Sequence, residues 1–227
     1  MAPDSELIDA IRAALRGSAQ PELAGPMQAY MKSQIPYLGV RVPAVRALTR
    51  AEAKKRPFAT GADVAGTVLA LWRAADYREE RYAAMALLDT PAARPLREPD
   101  LLGTLRDLIV TGAWWDYVDE LAHRVGDLLV GWPGQVRPAL VSWAQGQDIW
   151  LRRASIICQL GARDRADLDL LTLAIEASLG EREFFLRKAI GWALRDYART
   201  DPAWVRSFAE THELSPLSRR EALKHLS

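Results

Sequence analysis

The segment WWDYVDELAHRVGDLLV, residues 114 to 130, shows the hydrophobic pattern from which the fold class follows. Its apolar residues recur three and four positions apart, from Val118 through Leu121 and Val125 to Leu128, which is the period of an amphipathic α-helix. The same period runs through the rest of the chain, and the alternating Val, Ile and Thr runs of strands are scarce. The sequence therefore predicts an all-α protein.

The helical period recurs in thirteen segments, and the connections between them are short and marked by Gly, Pro, Asp and Thr. Ser5 is expected to cap the first helix. The predicted helices span about 5–16, 21–32, 42–55, 61–74, 77–88, 99–110, 115–130, 134–144, 149–160, 166–178, 183–198, 202–210 and 215–226. Short connections make successive helices antiparallel neighbours.

Helix pairs of about 35 to 40 residues favour a solenoid of degenerate repeats. Strict self-similarity is not visible, so a compact irregular helical bundle stays open as the alternative. No linker divides the chain, and residues 1–227 are predicted to form a single domain.

The composition limits the class of protein. Hydrophobic residues make up 49% and charged residues 26% of a chain long enough to bury a sizeable core. The formal net charge is +1, which gives no long-range attraction to a polyanion, although a local basic patch can still bind one.

The remaining signals concern compartment and cofactors. Cys158 stands alone in an apolar run and is expected to be buried in a reducing compartment. The histidines lie far apart, so no metal and no cofactor are expected. The amino terminus lacks the pattern of a secretion signal, and no run of 18 apolar residues occurs, which predicts a cytoplasmic protein that does not bind membranes. With no heptad seam, a monomer is expected.

The segment WWDYVD places candidate chemistry at the start of the central helix. Trp115 and Asp119 are four residues apart, so an indole and a carboxylate would face the same space. An acid beside an aromatic wall suits the stabilisation of a cation. Ordinary structure is the alternative, since an acid in the first turn, such as Asp116, opposes the positive end of the helix dipole.

Two further segments mix bases with aromatic residues. DIWLRR, residues 148 to 153, places two guanidiniums after a Trp, and EFFLRKAIGW, residues 183 to 192, combines Arg and Lys with three aromatic rings. Arg and Lys neutralise phosphates, while aromatic rings pack on sugars and bases. Solvated arginines and core tryptophans are the ordinary alternative for each residue taken singly.

Helical geometry sorts the second segment into two faces. Lys188, Trp192 and Arg195 share a face that continues to Arg199. The residues expected on the other side are Phe185, Ile190 and Leu194. Gly191 loses about 1 kcal/mol against Ala inside a helix, and is more tolerable where a backbone or ligand must come close.

Several strings, in the same order along the chain, resemble the AlkD family of bacterial DNA alkylation repair glycosylases. They are PMQAYMK (26–32), YLGV (37–40), VTGAWWDYVD (110–119), IWLRRA (149–154), KAIGWALR (188–195) and LSPLSRREA (214–222). The similarity extends from about Ala24 to Lys224, nearly the whole chain.

The resemblance implies a right-handed superhelix of HEAT-like repeats whose concave, basic groove binds double-stranded DNA. It also implies removal of N3- and N7-alkylated purines by hydrolysis of the N-glycosidic bond. Asp119 matches the catalytic aspartate, Trp115 and Trp192 the active-site indoles, Arg153 the phosphate-contacting arginine, and Tyr30 a tyrosine of the groove.

Three further basic residues are candidate DNA contacts. Lys188 and Arg195 follow from the face of the EFFLRKAIGW helix described above. Arg41 stands where the family has a glutamine, so the DNA contact near that position is altered, while the chemistry is expected to survive the change.

The chemistry of the substrate agrees with a single aspartate. Ordinary glycosidases use two carboxyl groups, one of which protonates the leaving group. An alkylated purine already carries its positive charge, so no acid is needed. One carboxylate then stabilises the oxocarbenium-like deoxyribose in a site partly dried by indoles.

Most glycosylases extrude the damaged base into a pocket. The sequence offers no obvious base pocket, and the resemblance implies recognition without base flipping, restricted to cationic lesions. Two alternatives remain: a catalytically silent DNA-binding protein on the same scaffold, and a helical scaffold that binds protein. The presence of Asp119 with both indoles favours the enzyme.

Overall fold

The structure is a computed structural model that describes residues 3–226. All regular structure in this range is helical, which confirms the all-α prediction. The α-helices are α1 Ser5–Gly17, α2 Pro21–Met31, α3 Val42–Lys55, α4 Gly61–Arg73, α5 Arg78–Leu87, α6 Leu101–Gly112, α7 Trp115–Gly131, α8 Pro133–Gln145, α9 Ile149–Ile157, α10 Leu168–Glu176, α11 Phe184–Tyr197, α12 Pro202–Thr211 and α13 Pro216–Ala222. Two short 3₁₀ helices, Arg94–Leu96 and Arg163–Arg165, lie in connections.

The first helix is capped by Asp4, and the prediction of Ser5 as its cap is wrong. The carboxylate of Asp4 accepts a hydrogen bond from the backbone N–H of Leu7 at 2.9 Å. Aspartate caps a helix as well as serine does. The helix therefore starts one residue earlier, with Ser5 as its first helical residue.

The described chain divides into two compact units, residues up to 104 and residues from 105 onward, and each is described by itself. In the first unit α1 packs against α3, α4 and α5, and α5 also packs against α3 and α4. Glu79 of α5 is fully buried and accepts hydrogen bonds from the backbone N–H groups of Leu38, Gly39 and Val40 at 3.0, 2.8 and 3.0 Å. This carboxylate fixes the segment between α2 and α3.

In the second unit the odd-numbered helices form a continuous series. Helix α7 packs against α9, α9 against α11, and α11 against α13, while α8 packs against α7, α9 and α10. Stacked helix pairs are thus confirmed within this unit. The single-domain organisation, the right-handed course and the concave basic groove stay predictions.

Helix α9 is the centre of the second unit. Every residue from Trp150 to Ile157 is buried, including two arginines. Burying a guanidinium is tolerated only when it is paired and hydrogen-bonded. Each of the two arginines of α9 therefore requires a carboxylate partner from a neighbouring segment. Among residues 3–226, no helix has both the length and the apolar character needed to cross a membrane.

Candidate active site

An ion pair between α7 and α9 is the centre of the candidate site. Nε and Nη2 of Arg153 donate to Oδ1 and Oδ2 of Asp119 at 2.7 and 2.8 Å, and Nη1 donates to the carbonyl oxygen of Phe185 at 2.5 Å. The side chain of Arg153 is 5% exposed and that of Asp119 is 18% exposed. Each carboxylate oxygen accepts more than one hydrogen bond, so the exposed part of Asp119 retains capacity for a further partner.

The two predicted indoles lie on α7, which carries Asp119, and on α11, whose Phe185 carbonyl oxygen accepts a hydrogen bond from Arg153. Trp115 is the first residue of α7, one turn before Asp119, and Trp192 lies on α11; both are half-buried. Asp116 lies in the first turn of α7, near the positive end of the helix dipole, as its structural interpretation requires. The two acids of WWDYVD therefore have different surroundings.

An aromatic cluster lies beside the ion pair. The ring of Phe185 is 5.7 Å from that of Trp114 and 5.0 Å from that of Trp150, between centroids. The guanidinium of Arg153 lies 6.0 Å from the Phe185 ring. Nε1 of Trp114 is buried without a hydrogen-bond partner among the described residues. The cluster forms an apolar wall beside the ion pair and keeps water from that side of Arg153.

The placement of Phe185 on the Ile190 and Leu194 side of α11 is wrong. Ile190 and Leu194 are buried as predicted. Phe185 is seven residues before Trp192, almost two full turns, so the two rings share a face. The contact of Phe185 with Arg153 places it toward α9.

The predicted basic face of α11 meets a carboxylate of α13. Nζ of Lys188 is 3.2 Å from Oε1 of Glu221, and Nη1 of Arg195 is 2.6 Å from Oε2 of Glu221. Arg199, which extends the same face, is 78% exposed. Sequence reasoning missed Glu221 although it lies in the LSPLSRREA string, because nothing in that string indicates partners on another helix.

Helix α13 also explains the glycine of α11. A Cβ on Gly191 would lie 2.5 Å from Cβ of Glu221 and 2.9 Å from the carbonyl oxygen of Ser218. The close neighbour expected from the sequence is therefore a helix of the same chain. It brings Glu221 between Lys188 and Arg195.

The second guanidinium of DIWLRR has a different role. Nη1 of Arg152 donates to Glu181 at 2.7 Å, and Nη2 donates to Ser178 at 3.2 Å and to the carbonyl oxygen of Ala177. Arg152 is 7% exposed. It connects α9 to the segment after α10 and does not extend the candidate DNA-binding face.

Two predicted DNA contacts belong to the first unit. Tyr30, near the end of α2, is 78% exposed, which is unusual for a large aromatic side chain. Arg41 is exposed at the N-cap position of α3 and makes no side-chain capping hydrogen bond. Both residues are accessible to a partner, and their roles stay predictions.

A cleft in the second unit is lined by residues other than those of the ion pair. This cleft, of about 460 Å³, is lined by the C-terminal half of α7 and by the segment from Cys158 to Asp167; Asp119 and the indoles are not among its lining residues. Cys158 is buried as predicted, and burial raises the pKa of its thiol to about 12. Within residues 3–226, no group of His, Cys, Asp and Glu is arranged to hold a metal ion.

Comparison with known proteins adds the family. Residues 11–226 match the family model described as DNA alkylation repair enzyme. The fold is similar to a solved structure described as a predicted DNA alkylation repair enzyme from Enterococcus faecalis, with 29% sequence identity and a TM-score of 0.83 over 92% of this chain and 97% of that one. Comparison with curated protein sequences gives no match. A match over almost the entire length shows that this chain belongs to the DNA alkylation repair enzyme family and has a role in the repair of alkylated DNA.

Proposed function

We propose that the protein is a DNA glycosylase that hydrolyses the N-glycosidic bond of cationic N3- and N7-alkylated purines in duplex DNA. The observation that carries the proposal is the carboxylate of Asp119, held by both oxygens on Arg153 and one helical turn from the indole of Trp115. Lesions such as 3-methyladenine and 7-methylguanine are the proposed substrates.

The reaction moves positive charge from the base to the sugar. As the bond breaks, the departing purine becomes neutral and the deoxyribose acquires oxocarbenium character. A fixed carboxylate in a partly dried site stabilises that developing charge, and it requires no reorganisation at the moment of reaction. Asp119 fits this role because Arg153 fixes both of its oxygens.

Arg153 has two functions in this proposal. Three of its five N–H groups are used by Asp119 and by the carbonyl oxygen of Phe185, which orients the carboxylate. We propose that the exposed edge of the guanidinium, in a side chain that is 5% exposed, contacts a DNA phosphate. Trp115 and Trp192 pack against the deoxyribose of the lesion nucleotide, and Asp119 also positions the attacking water.

DNA binding is proposed to use residues of both units. The proposed contacts are Arg153, Lys188 and Arg195 of the second unit and Tyr30 and Arg41 of the first. The protein acts as a monomer without metal or cofactor. Recognition is proposed to act through the backbone of the lesion nucleotide, without base flipping. The cleft of about 460 Å³ described above, which Asp119 does not line, is compatible with this mode.

Release of methylated bases from alkylated duplex DNA by the purified protein, without added metal, tests the proposal. We expect release of 3-methyladenine and 7-methylguanine, and little release of neutral ethenoadenine or hypoxanthine, which leave poorly without an acid. Comparable rates on neutral and cationic lesions would contradict the single-carboxylate mechanism. Salt-dependent DNA binding without any base release would instead indicate a silent DNA-binding protein.

A further inference from the structure

Glu221 is a carboxylate at the centre of the basic face of α11. We propose that Glu221 competes with DNA phosphates for Lys188 and Arg195 and so limits the affinity of the protein for the DNA backbone. This inference rests on the proposed function, which assigns Lys188 and Arg195 to DNA.

The geometry is that of one anion shared by two cations. The two oxygens of Glu221 are divided between Lys188, at 3.2 Å, and Arg195, at 2.6 Å. The side chains of the cations are 37% and 24% exposed, and that of Glu221 is 15% exposed. The cations are thus accessible to an outside anion while Glu221 lies deeper.

Packing fixes the position of the competing carboxylate. Glu221 can approach α11 only because Gly191 has no side chain, and a Cβ at that position would lie 2.5 Å from the Cβ of Glu221. The hydroxyl of Ser218 donates to the carbonyl oxygen of Arg187 at 2.9 Å and holds α13 on α11. The carboxylate is therefore presented by a packed helix and not by a mobile side chain at the surface.

The charge state of Glu221 agrees with this role. A hydrogen bond from Lys188, together with the charges of Lys188, Arg195 and Lys224, holds the pKa of Glu221 below its ordinary value against the opposing effect of partial burial. Glu221 is then an anion at neutral pH, and the group formed by Glu221, Lys188 and Arg195 has a net charge of +1. A phosphate that binds Lys188 and Arg195 must replace the Glu221 contacts.

Binding to an undamaged duplex, measured over a range of salt concentrations, tests the inference. Glu221→Gln keeps the shape of the side chain and removes its charge. We expect this variant to bind more tightly at low salt, and its plot of log affinity against log salt to be steeper by about 0.9 to 1.8, since each further phosphate contact adds about 0.9. Glu210→Gln, an exposed position on α12, is the matched control because it changes the net charge equally.

A second substitution tests whether the effect passes through the cations. In the Glu221→Gln background, Lys188→Gln should make the salt slope shallower by about 0.9, because one phosphate contact is lost. In the parent protein the same substitution should change the slope less, because Glu221 already occupies Lys188. Far-UV circular dichroism and urea unfolding verify that every variant is folded.

The outcomes separate the inference from the proposed function. An unchanged slope or weaker binding in a folded Glu221→Gln variant overturns the inference, because Glu221 would then hold the cations in place for DNA. If Lys188 and Arg195 together contribute nothing to the slope while the parent protein still releases methylated bases, the inference and the assignment of these two residues to DNA are wrong, and the glycosylase activity stands. If the parent protein neither binds DNA nor releases bases, the proposed function fails with it.

Discussion

Gly126 of α7 lies against the carbonyl oxygen of Cys158, the residue that follows α9, with no space for a side chain between them. A Cβ on Gly126 would lie 2.0 Å from that oxygen and 3.1 Å from its carbon. Both are backbone atoms, so the clash cannot be relieved by a rotamer change. The closeness of α7 and α9 at this point is what allows Asp119 and Arg153 to meet further along the same helices.

Gly126→Ala is therefore expected to separate α7 from α9. We expect a loss of about 1 to 3 kcal/mol or more in the free energy of unfolding, measured by urea denaturation. Gly103→Ala is the control, because a Cβ there meets nothing within 4 Å. That control should be neutral or stabilising. Equal effects of the two substitutions would show that the helix approach is not as close as described.

Asp119→Asn is expected to bind alkylated duplex DNA but to release bases slowly. Removing one preorganised electrostatic group from a dry site lowers the rate by roughly 10² to 10³. Single-turnover base release and a gel shift on the same preparation measure the two properties. A variant that releases 7-methylguanine as fast as the parent protein would refute the role assigned to Asp119.

Arg153→Ala is expected to destabilise the second unit strongly. The substitution removes both donors of Arg153 from the carboxylate of Asp119, which is 18% exposed, and one hydrogen bond from the carbonyl oxygen of Phe185. Breaking a buried pair by removing one partner costs about 3 to 5 kcal/mol. Arg182→Ala, at an exposed position, is the control, with an expected change within about 0.5 kcal/mol.

The two residues of the ion pair should also be coupled energetically. The double variant Asp119→Asn with Arg153→Ala should lose less stability than the sum of the single variants, since each single change removes the same contact. Urea unfolding of all four proteins gives this coupling energy. Strict additivity would mean that the contact contributes nothing.

The buried thiol of Cys158 is expected to make the free energy of unfolding fall at alkaline pH. Burial raises the pKa of its thiol from 9.0 to about 12 in the folded protein. Between those values the unfolded chain loses this proton and the folded chain keeps it. The contribution of the thiol to the free energy of unfolding is therefore fully present below pH 9 and is lost as pH rises toward 12.

The parent protein should therefore lose about 1.4 kcal/mol per pH unit more than Cys158→Ala over that range. Urea unfolding at several pH values compares the two slopes. Equal slopes for the two proteins would show that the thiol ionises as readily in the folded state as in the unfolded state. As a second check, a thiol reagent at neutral pH should react with Cys158 only on unfolding.

The helices were predictable from the chain because an α-helix is a local structure. Its hydrogen bonds and its apolar face repeat within four residues, so periodicity places α3 at Val42–Lys55, as found. The residue type alone does not identify a cap, since aspartate and serine are both good caps and the geometry of the first turn selects Asp4 over Ser5. The position of Phe185 shows that the angle of a residue on the helix, and not its apolar character, fixes the face on which it lies.

Local sequence patterns are sufficient to predict the helical composition and the positions of nearly all helices, and the motifs supply the candidate residues Trp115, Asp119, Arg153 and Trp192. Which charges meet depends on the packing of helices that are distant along the chain. Asp119 and Arg153 are 34 residues apart, and Glu221 and Arg195 are 26 apart. Contacts at such separations depend on how closely one helix packs on another, which the absence of a side chain at Gly126 and Gly191 controls and which no pattern along the chain contains.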